Sequence, residues 1–201
     1  MDRPDVFFSA FARRPRPAAA DLLDAVNGHP ERERARDVLS ARQSSELSVA
    51  ELRDIVGGNL GLLKPEAFLY FLPAFLAAIT ADYPALTVLT SELLGQLTPP
   101  ARDNVAARFE RLRRNNRASG AGLPEETVEI LRSQALQLID SGILARRFAA
   151  RFDGIAPEEA HAILAFLHHL RERYGEDFPS GALDAAITYW EGQHAPGDTS
   201  P

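Results

Sequence analysis

Apolar residues recur along almost the whole chain at spacings of three and four, the period of an α-helix. No stretch alternates apolar and polar positions over enough β-branched residues to make a strand. The pattern is densest between Pro65 and about Ala81. Phe68, Phe71, Leu72, Phe75, Leu76 and Ile79 keep the helical spacing, while Leu69 and Tyr70 carry apolar surface further round the cylinder. A helix that is hydrophobic on nearly every side belongs in the middle of a fold. Pro73 lies inside it, lacks an N–H and crowds the carbonyl of Leu69, so a kink or break is predicted there. The fold class is therefore all-α: a compact multi-helix single domain over residues 1–193, built around a central Pro-kinked apolar helix at about 65–81. Residues 194–201 read as a disordered C-terminal tail.

Punctuation residues divide the rest. A first helix carries Phe7, Phe8 and Phe11, places Arg13 and Arg14 at the negative end of its dipole, and stops at Pro15 and Pro17. A short helix with Leu22, Leu23 and Val26 on one side ends at Asn27-Gly28-His29-Pro30, and Glu31 to Ala41 reads as a solvated charged helix. Ser48 with Glu51 forms a capping box ahead of Val49, Leu52, Ile55 and Val56, and Gly57-Gly58-Asn59 closes that helix. Leucines mark a helix from Pro84 to Leu97. Thr98 is placed to cap the next, with Val105, Phe109 and Leu112 inward, and Asn115 to Gly122 reads as a polar loop. Pro124 then opens a helix with Val128, Leu131, Ala135 and Leu138 inward. Leu144, Phe148 and Phe152 mark a short helix. Pro157 begins a long amphipathic one, and Leu183, Ala186, Ile187 and Trp190 line the last.

The 201 residues contain no cysteine, which removes disulfides, thiol catalysis and thiolate metal sites from consideration. The apolar run Ala67 to Ala81 would span about 22 Å as a helix, short of the roughly 30 Å needed to cross a bilayer. No apolar run near the start has the length of a signal peptide, so a cytoplasmic location without a membrane partner is expected. Lys64 is the only lysine; a bacterial genome rich in guanine and cytosine accounts for the preponderance of arginine. A net charge of −6 disfavours nucleic acid as a whole-surface partner.

The run Leu63-Lys64-Pro65-Glu66-Ala67-Phe68-Leu69-Tyr70-Phe71-Leu72-Pro73-Ala74-Phe75-Leu76 resembles the hallmark of an uncharacterised bacterial family, a domain of unknown function. Its members carry Leu-Ser/Thr-Pro-Glu-Ala-Phe-x-Tyr-Tyr/Phe-Leu-Pro-Ala-x-Leu. Phe7 to Pro17 is similar to how such proteins begin, and Ile155 to Leu170 with Ala182 to Trp190 to how they close. Lys64 stands where the family has a helix-capping Ser or Thr. The resemblance implies the helical fold and brings with it no activity and no cofactor.

Candidate chemistry is sparse. Glu158-x-x-His161 and Glu191-x-x-His194 have the spacing used in di-iron bundles, but the apolar faces supply no further inward carboxylates, so no metal or cofactor is assigned. His161 and His168 lie seven residues apart on one side of their helix, the spacing of a metal pair or of ring-covered core edge. Arg102, Arg108, Arg111, Arg113, Arg114 and Arg117 form the densest charge cluster. Arg108, Arg111, Arg113, Arg114 and Arg117 are candidate phosphate contacts. The competing reading is a helix end whose arginines answer its dipole and pair with Glu110. No nucleophile motif is present and no catalytic residue is assigned. Beside Pro73, a groove near Lys64 and Tyr70 is a candidate protein or ligand contact; the alternative is a bend that serves only shape. The leading reading is a non-catalytic cytoplasmic module that binds another protein. The alternatives are a small-molecule-binding protein or enzyme with a pocket at Pro73, and phosphate or nucleic-acid binding through the arginines.

Overall fold

The protein is described by a computed structural model that covers residues 3–24, 29–119, 122–178 and 181–194. In chain order its helices are α1 (Arg3–Ala10), α2 (Pro30–Ala41), α3 (Val49–Glu51), α4 (Pro65–Ala81), α5 (Thr87–Leu97), α6 (Arg102–Ser119), α7 (Glu125–Asp140), α8 (Ile143–Arg151), α9 (Pro157–Tyr174) and α10 (Ala182–His194). The fold is all-α, and the described residues form no strand beyond one isolated bridge.

α4 starts where the sequence places it. Lys64 is the last extended residue, Pro65 follows with a preset φ and no N–H to leave unpaired, and Glu66 answers the positive end of the dipole. The missing N–H of Pro73 removes the usual donor to Leu69 O, yet α4 runs unbroken through it to Asp82, whose N–H closes on Ala78 O. Packing on every side holds it: from Ala67 to Ile79 only Tyr70 and Ala78 escape full burial. α1, α5, α8, α9 and the turn Ser44–Glu46 surround α4, and α10 closes against α9 and α5. Edge-to-face rings knit these layers together, Phe68 on Phe152 at 5.9 Å, Phe152 on Trp190 at 5.0 Å and Phe7 on Phe166 at 6.4 Å. The indole N–H of buried Trp190 donates to Leu97 O at 2.9 Å.

Several local expectations are corrected. The predicted short helix at Leu22 and Leu23 is a 3-10 turn, Ala19–Asp21, followed by extended chain. Leu23 bridges Leu63, with Asp24 N–H donating to Leu62 O and Lys64 N–H to Leu22 O. A segment hemmed between Pro17 and Pro30 is too short to hold a helix, and pairing with the α4 entry satisfies its backbone instead. Val26 lies outside the described residues. The Ser48–Glu51 capping box is present, but Gly57 does not end the helix. The chain winds on as a π-helix, Leu52–Val56, and a 3-10 helix, Gly57–Leu62. Gly57 is needed there because a Cβ would meet Leu52 O at 3.2 Å. Thr98 does not cap α6. Its hydroxyl donates back to Leu94 O, and Pro99-Pro100 delays the helix to Arg102. α6 then absorbs Asn115 to Ser119 from the predicted loop. The tail beyond His194 lies outside the described residues.

α6 and α7 form a hairpin that packs on itself and, through α7, on α8. Among the described residues, none from Thr98 to Arg147 belongs to the central apolar cluster or packs against it. Val128 is the one fully buried residue described in the hairpin; Phe109 and Leu112 are half-buried. No helix among the described residues is long and apolar enough to cross a membrane.

Candidate functional site

The arginine cluster is largely spent on holding the hairpin together. Arg113 sits among three carboxylates: Glu110 at 3.0 Å on its own helix, and Glu125 at 2.7 Å and Glu129 at 2.5 Å on α7. The hydrogen bond to Glu110 and the charges of Glu125 and Glu129 hold its guanidinium above its ordinary pKa. Arg102 reaches both oxygens of Asp140, at 2.5 and 2.7 Å. These pairs tie the two ends of α6 to the two ends of α7. Arg114 is exposed. The side chains of Arg108, Arg111 and Arg117 lie outside the described residues.

At Pro73 the structure brings together part of the expected groove. Tyr70 and Pro73 line a cleft of about 200 Å³ with Phe8, Phe11, Arg14 and Ser44. Lys64 turns away and bonds Asp21 Oδ1 at 2.9 Å and Ala20 O at 3.0 Å. The cleft is smaller than the roughly 300–1,000 Å³ of ordinary ligand sites. Its one cation is already engaged: Arg14 donates to both oxygens of Glu159, at 2.6 and 2.5 Å. Ser44 Oγ lies buried without a hydrogen-bond partner among the described residues, beneath the cleft wall rather than presented to it. A wider trough, about 480 Å³, is lined only by the continuous stretch Arg171 to Asp177, so no second element sends groups into it.

The histidine motifs are brought together only in part. His168 on α9 faces Glu191 on α10 at 3.5 Å and approaches Arg171 at 3.1 Å. Glu158 lies on the surface near Arg13 at 3.8 Å. Among the described residues no three His, Asp or Glu side chains converge as metal ligands.

Three features escaped sequence reasoning. Glu159 is only 3% exposed, accepts both bonds from Arg14, and also accepts the N–H of Ala156 at the start of α9. Arg151 stands over the Phe68 ring at 4.5 Å, bonded to Gln96 and to Leu63 O without a carboxylate partner. Burial, reinforced by neighbouring Arg147, draws its pKa down to about 10. Both residues stitch the shell around α4 and present nothing to a reactant.

The third feature faces outward. Leu131 and Leu138, expected inward, are 40% and 44% exposed, and Ile130 and Ile143 are 51% and 40% exposed. On α7 the ionisable residues Glu125, Glu126, Glu129, Arg132 and Asp140 all fall within an arc of roughly 120° at 100° per residue. The remaining arc holds Thr127, Val128, Ile130, Leu131, Gln134, Ala135, Gln137, Leu138 and Ile139, without a charge. α6 covers only the part of that arc centred on Val128. The signal was in the sequence: an apolar arc this wide exceeds what one antiparallel neighbour buries.

In a scan of protein-family models, a search of curated proteins and a search of solved structures, nothing matches this chain.

Proposed function

We propose that this chain is a non-catalytic, cytoplasmic protein-binding module that docks its partner on the outer face of the α6–α7 hairpin. The observation that carries the reading is the exposed, uncharged strip of Ile130, Leu131 and Leu138, continued by Ile143 on α8. Contiguous apolar surface of this kind marks interaction sites in monomeric proteins. The hairpin also suits the task mechanically. It stands outside the central apolar cluster, so its outer face can be altered or covered without disturbing α4.

The phosphate reading has less to draw on, because Arg102 and Arg113 are matched by acids from α7 and their own helix. A ligand pocket at Pro73 would need room and free polar groups, and the cleft offers about 200 Å³ with Arg14 committed to Glu159. The similarity of the Leu63–Leu76 run to a family of unknown function supports the helical fold and is neutral on the role.

The test compares three tagged proteins as bait in lysate: wild type, Leu131→Glu with Leu138→Glu, and Glu172→Arg on exposed α9. A protein retained by wild type and by Glu172→Arg, and lost by the leucine pair, is the expected result. Identical captured sets for all three baits would remove α7 as the docking face.

A further inference from the structure

Resting on that docking role, we infer that the partner seated on α7 is a second copy of this chain, so that two α7 helices pack face to face across a two-fold axis. Spacing supplies the first argument. Thr127, Leu131, Gln134 and Leu138 are separated by four, three and four residues, the repeat by which one helix presents a seam to another. A helical partner fits such a seam; a strand or an irregular loop does not share its period.

Charge supplies the second. A two-fold contact lays one surface against itself, so a rim of either sign would meet its own kind. The chain carries −6 overall, yet the seam and its flanks Ile130 and Gln137 contain no ionisable group. A partner recruited by charge would find nothing to pair with here, whereas an identical uncharged strip meets no repulsion. Gln134 and Gln137 complete the self-match. Each amide carries both donors and an acceptor, so it complements another glutamine whichever way the second helix runs. A polar side chain within an apolar seam also fixes register at some cost in affinity.

Size sets the strength. α7 has 16 residues, about 24 Å of helix. Covering a strip that long and about 10 Å wide on each copy removes on the order of 1,000 Å² in total, the lower edge of specific interfaces. A weak dimer follows, with a dissociation constant expected in the micromolar range.

Sedimentation velocity on the full chain, from about 1 µM to about 1 mM to bracket that constant, tests the inference. Wild type should rise from the 22.0 kDa monomer toward twice that mass, while Leu131→Glu with Leu138→Glu stays monomeric with an unchanged circular-dichroism melt. Because the chain has no cysteine, Gln134→Cys gives a second readout. Mild oxidation should yield covalent dimer from Gln134→Cys and little from Ser133→Cys, which points about 100° away. A monomer at every concentration, with equal cross-linking of the two cysteine variants, overturns the dimer. If the leucine variant in that case still loses a different protein in the capture experiment, α7 remains a docking face for that other partner. If it loses nothing, the docking role falls as well.

Discussion

Arg14 and Glu159 are 145 residues apart in sequence and joined by two short bonds. Each has an adequate local explanation: an arginine just beyond the end of α1, and an acid in the first turn of α9. Neither explanation demands the other residue, which is why the pair is invisible in the sequence. The bond to Glu159, stronger than the opposing desolvation, holds the Arg14 guanidinium above its ordinary pKa. With Glu159 only 3% exposed, removing its carboxylate strands Arg14 and opens the Ala156 cap. Glu159→Ala is therefore expected to cost about 3–5 kcal/mol in urea unfolding. Glu158→Ala next door, where the ion pair is 3.8 Å long and exposed, should change stability by less than about 0.5 kcal/mol. Equal effects of the two substitutions would mean that the bidentate pair is not formed in solution.

Elements with similar sequence signatures have different duties. α4 and α7 both read as amphipathic-to-apolar helices opened by a proline and an acid. α4 is covered on all sides, so Leu72 is fully buried; α7 is covered on one, so Leu131 is 40% exposed. The same truncation separates them. Leu72→Ala should destabilise by about 2–5 kcal/mol through lost contacts and the cavity it leaves. Leu131→Ala should cost no more than about 0.5 kcal/mol, as a surface change away from any special feature. Thermal or urea unfolding of both variants checks this. A large loss for Leu131→Ala would mean that α7 is packed more deeply than its exposed face indicates. α4 was legible because a helix apolar on nearly every side can only be central. The outward turn of Leu131 and Leu138 was not, because period reports which residues are apolar and says nothing of how many neighbours arrive to cover them.

At the scale of the molecule, a tightly wound core around α4 carries an α6–α7 hairpin held by its own contacts, by the Arg113 and Arg102 ion pairs and by α8. Helices with few buried apolar contacts open at lower free energy than those of the core. Amides of α7 should therefore exchange with deuterium faster than those of α4, by roughly two orders of magnitude or more in monomeric protein. Uniform protection across both would show that the hairpin and core unfold as one unit. The sequence by itself determined the helical class, the position of α4 and its start at Pro65, because hydrophobic period, proline and capping chemistry act over a few residues. Only the tertiary structure decided that Leu23 pairs with Leu63, that Arg14 meets Glu159, and that half of α7's uncharged arc stays open. Those outcomes depend on which surfaces meet, and that is settled by the packing of distant segments against one another.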